Sequence, residues 1–201
     1  MLNQNVRKPL RSRLILCILL AVIVVLGAYA YEHNRGTAAT LPMSPRNSSI
    51  SASALKLTSP AFGAKAPIPS IYTCDGEEKN PPLTLAGVPK GTESLVLILE
   101  DPDVPSGTFT HWVLYDIPPA TAMIEEGAGD DAGVSGRNSD NATGYIGPCP
   151  PTGTHRYIFS LYALNTKLGL PEGASKEEVL NAMNGQVLAQ TELIGIYAKK
   201  K

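Results

Sequence analysis

Short apolar runs, each bounded by proline or glycine, are the feature that most limits how this chain can fold. Leucine, isoleucine, valine and aromatic residues dominate residues 55–58, 94–99, 110–117, 156–164 and 193–198. Runs of this length between turn residues are typical of β-strands, and a run as uniformly apolar as residues 95–99 indicates a strand buried on both faces. The sequence therefore predicts a mainly β domain.

A single segment, residues 175–184, carries a clear helical signal. Ser175 and Glu178 have the spacing of a capping box, in which each side chain accepts a hydrogen bond from the other residue's backbone N–H. An apolar stripe at helical spacing and a following glycine complete the pattern. These positions are Val179, Leu180, Met183 and Gly185. We therefore predict a β-sandwich of two packed antiparallel sheets, with one or two peripheral helices near the C-terminus.

Residues 1–30 have the composition of an export signal. Four basic residues precede an apolar run at residues 14–30, and the first acidic residue is Glu32. Because basic flanks stay on the cytoplasmic side, we expect the rest of the chain to be exported to the periplasm or the cell surface. The segment Ala28-Tyr-Ala fits a cleavage site, yet the run also reaches the lower length limit of a membrane span. A cleaved signal peptide and an uncleaved membrane anchor both remain open.

Residues 31–54 predict a flexible tether, because they are rich in small and polar residues and lack apolar periodicity. Residues 55–201 have the size of one ordinary domain. The chain carries 17 Lys and Arg against 18 Asp and Glu, and four of the basic residues lie in the leader. The exported part is therefore mildly acidic, which argues against a nucleic-acid partner.

The two cysteines outside the leader are Cys74 and Cys149, and both lie in loop-like segments flanked by glycine or proline. An even pair in an oxidising compartment favours a disulfide. Two independent buried thiols and a metal pair are the alternatives. The spacing does not match a zinc site, since no Cys-x-x-Cys occurs and the histidines are not paired. We expect no metal and no other cofactor.

Two of the three histidines lie beside rigid loops at the starts of predicted strands, where a scaffold presents side chains to ligands. His111 follows the loop Asp101-Pro-Asp-Val-Pro, and His155 follows the loop Gly147-Pro-Cys-Pro-Pro-Thr-Gly-Thr. A carboxylate near an imidazole stabilises its charged form and selects its tautomer, whereas burial opposes the charge, so the sign of the net pKa shift is open. Together with backbone N–H groups of the second loop, these groups predict a small anion pocket.

The two loops belong to a longer set of motifs that extends from about residue 55 to residue 197. The others are His111-Trp-Val-Leu-Tyr-Asp-Ile-Pro, His155-Arg-Tyr-Ile-Phe-Ser-Leu-Tyr-Ala-Leu, Tyr72-Thr-Cys-Asp-Gly-Glu, Asn80-Pro-Pro-Leu, a helix at residues 182–190 and Glu192-Leu-Ile-Gly-Ile-Tyr. This set closely resembles the phosphatidylethanolamine-binding protein family, specifically its bacterial Raf-kinase-inhibitor-like branch. The sequence departs from the family pattern at Leu85, Ile146 and Gln186, and the last two changes affect the rim of the pocket.

The resemblance implies a large antiparallel sheet packed on a smaller one, and a pocket for phosphate-like or carboxylate groups, including phospholipid headgroups. The matching pocket positions are Asp101, His111, Pro151, His155 and Tyr157.

Three neighbouring residues have competing roles. Asp103 and Gly147 are secondary candidates for ligand contact, although we favour turn stabilisation for Asp103. Alternation along the predicted strand points Arg156 away from the pocket, so we expect a structural ion pair there. Trp112 has a large apolar surface and is expected in the core.

These observations favour an exported or membrane-tethered binding module over an enzyme. It would capture a small anion or phospholipid headgroup and, through the resemblance, modulate a protein partner such as a protease. The sequence has no Gly-x-Ser-x-Gly motif, Ser160 lies in mid-strand, and neither exported cysteine has an activating partner. Two alternatives remain: a hydrolase that uses a histidine or a metal held by Asp101, His111 and His155, and a purely structural envelope domain.

Overall fold

The computed structural model describes residues 55–200, and the predicted leader, cleavage site and tether lie outside them. Within the described range, no helix is long and apolar enough to span a membrane. The strands are β1 (Lys56–Thr58), β2 (Leu83–Ala86), β3 (Ser94–Asp101), β4 (Phe109–Ile117), β5 (Met123–Ile124), β6 (Val134–Ser135), β7 (His155–Leu164) and β8 (Val187–Tyr197). Helix α1 is Lys176–Met183, and two short 3-10 helices are Ser70–Tyr72 and Gly129–Ala132.

The strands form two antiparallel sheets. The larger sheet has the order β6-β4-β3-β7-β8, and the smaller sheet has the order β1-β2-β5. Strand β3, which contains the uniformly apolar run, is the central strand of the larger sheet and pairs with β4 and β7. The predicted mainly β fold with two antiparallel sheets is confirmed.

Strand β3 separates two hydrophobic clusters. Its residues Leu95, Leu97 and Leu99 pack with side chains of the smaller sheet, whereas Val96 and Ile98 pack on the side of α1. All five side chains are buried. Alternation of side chains along a strand requires a strand covered on both faces to be apolar throughout, as the sequence predicts. Trp112 of β4 is also fully buried in the larger cluster, as expected.

Helix α1 begins with the predicted capping box. The Ser175 side chain accepts a bond from the Glu178 N–H, and the Glu178 carboxylate accepts one from the Ser175 N–H. Val179 and Met183 are buried, but Leu180 is 41% exposed. A helix of two turns lying on one sheet buries only a narrow stripe, so the prediction that Leu180 belongs to that stripe is wrong.

The region after α1 is the main correction to the predicted elements. The helix implied for residues 182–190 ends at Met183, and Gly185 adopts a left-handed conformation with a φ of 77°. Residues from Val187 onward form β8, which pairs along its length with β7. The short strands β2, β5 and β6 were not predicted, because two to four residues are too few for a periodic pattern.

Candidate functional site

Asp101 is the last residue of β3, and its side chain is buried to 1% exposure. Its Oδ1 accepts a hydrogen bond from the Asp103 N–H at 2.8 Å, and its Oδ2 lies 2.7 Å from Nδ1 of His155. Burying a carboxylate is costly unless its oxygens are hydrogen-bonded, and these two contacts give each oxygen a partner. The sequence left open which histidine Asp101 orients, and the structure identifies His155.

His155 begins β7 and is itself 7% exposed, in register with Tyr197 of β8. Since a carboxylate accepts hydrogen bonds, Nδ1 of His155 carries a proton and donates a hydrogen bond to Asp101. The pair therefore links the end of one central strand to the start of its neighbour.

His111 of β4 is 5% exposed and lies in a different environment from His155. Its Nδ1 is 2.9 Å from the carbonyl oxygen of Ile146, so Nδ1 carries the proton and Nε2 is the acceptor of the neutral ring. Burial lowers the pKa of His111 from its ordinary value of 6.5, and this outweighs the opposing effects of the Ile146 carbonyl, Asp101 and Asp140. The ring is therefore neutral at pH 7.

Tyr157 of β7 contacts His111 edge-on, with ring centroids 5.3 Å apart. Its hydroxyl is buried and makes no hydrogen bond of acceptable geometry among residues 55–200, although Asp101 and the Cys149 amide lie close to it. Burial is the main cause that raises the pKa of Tyr157, so the hydroxyl stays protonated. A buried hydroxyl without a partner costs about 1–3 kcal/mol, which a bound ligand or water would recover.

These side chains border a pocket of about 170 Å³, called the Asp101 pocket below. Its lining residues are Asp101, Val104, Phe109, His111, Asp140, Ile146, Gly147, Cys149 and Tyr157. Larger grooves, of about 360, 360 and 240 Å³, lie elsewhere and contain none of the predicted site residues.

Four predicted residues meet in the Asp101 pocket: Asp101, His111, Tyr157 and the secondary candidate Gly147. His155 contacts Asp101 but does not line the pocket, and Pro151 is exposed outside it. Of the two residues that depart from the family pattern and were expected at the rim, Ile146 lines the pocket, whereas Gln186 lies in the turn after α1.

Sequence reasoning missed four lining residues: Val104, Phe109, Asp140 and Cys149 as a wall residue. The sequence could have predicted Phe109, because it lies two residues before His111 on the same strand and therefore on the same face. The two rings are in contact, with centroids 4.7 Å apart. No sequence pattern predicts Asp140, since only the fold of the loop after β6 brings it to the rim of the pocket.

Asp103 and Arg156 form an exposed ion pair beside the pocket. The Asp103 carboxylate accepts bonds from the Arg156 backbone N–H, Nε and Nη2 at 2.9, 2.9 and 2.6 Å. These bonds lower the pKa of Asp103 to about 2. Arg156 forms the structural ion pair predicted for it, whereas the Asp103 carboxylate bonds to the start of β7 and not to N–H groups of its own turn as predicted. The pair holds the Asp101 loop against the start of β7.

The opposite wall of the pocket is held by the segment at residues 72–76. Cys74 and Cys149 form the predicted disulfide, with Cα atoms 5.4 Å apart, which excludes a pair of free thiols or a metal pair. The Cys74 N–H donates to the Pro148 carbonyl at 3.2 Å. A Cβ on Gly147 would lie 2.9 Å from the Thr73 backbone, so the close approach of the two segments requires glycine.

Comparisons with known proteins identify the family. The family model described as phosphatidylethanolamine-binding protein matches residues 58–198. The chain belongs to the phosphatidylethanolamine-binding protein family. A UPF0098 protein of Methanothermobacter thermautotrophicus is 51% identical over 150 residues, which cover 72% of this chain and 99% of that protein.

Solved structures of family members have the same fold. A putative phosphatidylethanolamine-binding protein homologue of Chlamydia trachomatis has a TM-score of 0.70 and 43% identity, over 73% of this chain and 99% of that one. E. coli YbcL, described as a member of the mammalian family, has a TM-score of 0.68 and 29% identity, over 74% of this chain and 100% of that one. The resemblance seen in the motifs is thus confirmed over the whole described domain.

The alternative function, a metal-dependent hydrolase, requires at least three side chains that can coordinate one metal ion. Across residues 55–200, no three His, Cys, Asp or Glu side chains are grouped so that they could hold a metal ion. Nδ1 of His155 is bound to Asp101, and Nδ1 of His111 is bound to the Ile146 carbonyl. In this family member, Asp101, His111 and His155 therefore do not form a three-ligand site.

We predict that replacing both disulfide cysteines, Cys74→Ser with Cys149→Ser, lowers the free energy of unfolding by about 2–5 kcal/mol, because the bridge restricts a long loop in the unfolded chain. Urea denaturation of the domain measures this change. A reducing agent serves as the control, since it should destabilise the wild type and leave the double variant unchanged. Equal midpoints for the two oxidised proteins would contradict the prediction.

We also predict that the free energy of unfolding falls between about pH 7 and 5.5 more steeply in the wild type than in His111→Gln. Because the folded state lowers the pKa of His111, the unfolded chain binds more protons below about pH 6.5, and stability is lost as the pH falls through that value. Denaturation curves above pH 7 provide the control, because the two pH profiles should be parallel there; parallel profiles at lower pH would refute the assignment.

Proposed function

We propose that this family member is a non-enzymatic binding module that captures a small anionic group, phosphate-like or carboxylate, in the Asp101 pocket. The main support is the Tyr157 hydroxyl, a protonated and buried donor that borders the pocket and has no partner of acceptable geometry among residues 55–200. An anionic oxygen placed in the pocket would accept from it. Bonds to a charged acceptor are roughly twice as strong as neutral ones.

The size of the pocket supports a small group rather than a whole organic molecule. Its volume of about 170 Å³ is well below the range of about 300–1,000 Å³ that is typical of sites for drug-sized ligands. We therefore propose that a phosphate or carboxylate enters and that the remainder of the ligand, such as the rest of a phospholipid headgroup, stays outside.

The lining residues support binding over covalent catalysis. Serine, threonine and free cysteine are absent from the lining, and the sulfur of Cys149 is held in the disulfide. Ser160, the serine in mid-strand of β7, does not reach the pocket. A hydrolase would need a nucleophile that this set of residues does not supply.

We further propose that the domain acts outside the cytoplasmic membrane, where it modulates a protein partner such as a protease. The support for the location is the basic and then apolar composition of residues 1–30. The partner is proposed from the family resemblance, and a domain outside the membrane would not meet an intracellular kinase.

We predict that Tyr157→Phe weakens the binding of phosphoethanolamine by about tenfold or more, because one bond to a charged oxygen is worth about 1.5–3 kcal/mol. The free energy of unfolding should stay the same or rise, since a hydroxyl without a partner is removed. Isothermal calorimetry measures the affinity. Tyr162→Phe, on the same strand and outside the pocket lining, is the matched control and should bind like the wild type. Unchanged affinity in Tyr157→Phe would refute the proposed donor.

We predict that protease added to intact spheroplasts digests the C-terminal domain of the full-length protein, because the positive-inside rule places it outside. Immunoblotting of a C-terminal tag measures the digestion. A cytoplasmic marker protein must stay intact in the same sample. Protection of the tag together with that marker would refute the proposed location.

A further inference from the structure

A polar groove lies beside the start of α1 and shares no lining residue with the Asp101 pocket. This groove, called the Thr110 groove below, has a volume of about 360 Å³ and is lined by Thr108, Thr110, Asn141 and residues 137–139 and 175–177. The volume is within the range of about 300–1,000 Å³ that is typical of small-molecule sites. Every lining residue has a polar or charged side chain, so an apolar ligand would gain little there.

The Thr110 side chain points to the face of the larger sheet that α1 covers. Thr110 lies in β4 opposite Glu100 of β3, and Glu100 forms an ion pair with Lys176 of α1 at 2.6 Å. Because cross-strand partners share one face of a sheet, Thr110 lies on the α1 face as well. The next residue of β4, His111, lies on the opposite face in contact with Tyr157. The Thr110 groove and the Asp101 pocket are therefore separate sites.

The Thr110 hydroxyl is the feature of the groove that points to a ligand. Only 5% of the residue is exposed. Its backbone groups are paired with Ser139, whose Oγ accepts the Thr110 N–H at 2.8 Å and whose N–H donates to the Thr110 carbonyl at 2.9 Å. The hydroxyl itself makes no hydrogen bond among residues 55–200. Because a polar group shielded from water is costly to leave unpaired, a ligand that bonds to it gains that free energy.

Hydrogen bonds within the chain fix the walls of the Thr110 groove. Asn138 is buried, and its Oδ1 accepts the N–H groups of Asp140 and Ala142 at 3.1 Å each. The Arg137 N–H donates to the Ala174 carbonyl at 2.9 Å, which ties the loop after β6 to the start of α1. Since a preformed site has little freedom to lose, binding there carries a small entropic cost.

The charges along the Thr110 groove cancel in number, which does not favour an anion. Lys176 is paired with Glu100. The Arg137 guanidinium forms no ion pair among residues 55–200, and the carboxylate of Glu177 lines the same groove. A ligand with one sign of charge would be attracted by Arg137 or Glu177 and repelled by the other. An uncharged ligand avoids this conflict.

A ligand with several hydroxyl groups complements the mixture of donors and acceptors. The groove offers the hydroxyl groups of Thr108 and Thr110, the amide of Asn141, the guanidinium of Arg137 and the carboxylate of Glu177. Each ligand hydroxyl donates one hydrogen bond and accepts two, so neighbouring hydroxyl groups can pair with donors and acceptors together. Uncharged sugars carry such groups on adjacent ring carbons.

We propose that the Thr110 groove is a second binding site, which takes an uncharged saccharide through hydrogen bonds to its hydroxyl groups. This site is independent of the anion site proposed for the Asp101 pocket, because the two have no lining residue in common. The same domain then binds two ligands of different chemistry on two faces of one sheet.

Titration of the ¹⁵N-labelled full-length protein, in a detergent without a sugar headgroup, tests the proposal by NMR. The probes are maltose, cellobiose, lactose and N,N′-diacetylchitobiose, with inorganic phosphate for comparison. At least one disaccharide should cause saturable shifts in the amide signals of residues 108–110, 137–141 and 175–177. Saturable shifts of these signals with phosphate and with no sugar would make the groove an anion site and overturn the proposal. The absence of saturable shifts with every sugar would also overturn it.

The variant Thr110→Val removes the hydroxyl and keeps the branched shape of the side chain. It should weaken binding of the disaccharide by about threefold to tenfold, as expected for one hydrogen bond between uncharged groups. Its melting temperature should stay the same or rise, because the lost hydroxyl has no partner. Thr191→Val, half-buried in β8 of the same sheet and outside the groove lining, is the matched control and should bind like the wild type.

A second variant, Arg137→Leu, tests the groove without touching the core, because the Arg137 side chain is exposed. It should weaken disaccharide binding by a similar factor and leave the melting temperature unchanged. Wild-type affinity in both folded variants would place the sugar elsewhere and overturn the proposal.

Discussion

The burial of the Asp101 carboxylate is the constraint on which the site depends. An ionised carboxylate out of water is stable only when opposite charge and hydrogen bonds surround it, and removal of one partner of a buried pair is strongly destabilising. His155 and the Asp103 N–H donate one hydrogen bond each to the two Asp101 oxygens, and Arg156 holds Asp103 in turn. The contacts that allow the charge to be buried therefore also align the end of β3 with the start of β7, which places Asp101 and Tyr157 at one pocket.

The opposite wall is held by different forces. There a disulfide, a close backbone approach at Gly147 and the bond from the Tyr145 hydroxyl to the Tyr72 carbonyl, 2.7 Å long, brace the loop. Ile146 in that loop determines the tautomer of His111. A pocket with both walls held in this way needs little rearrangement to receive a ligand, which is the basis of preorganised recognition.

The electrostatics of the pocket differ from those of a simple cationic anion site. One imidazole is neutral through burial, and the other is already engaged with a carboxylate. Selectivity then depends on matching donors and acceptors rather than on net attraction, since a ligand that leaves a buried acceptor unpaired loses the desolvation energy of that group.

Local spacing and residue type were enough to predict the long sheet-forming runs, the capping box of α1 and the group of residues around Asp101. They favoured a Cys74–Cys149 disulfide but left two alternatives open. They did not separate the roles of His111 and His155, place Asp140 at the rim, or exclude Pro151 from the lining. Those outcomes depend on contacts between segments distant in the chain, such as Asp101 with His155 and His111 with Ile146. They follow from the folded arrangement, since burial and hydrogen-bond partners arise when the strands and loops pack together.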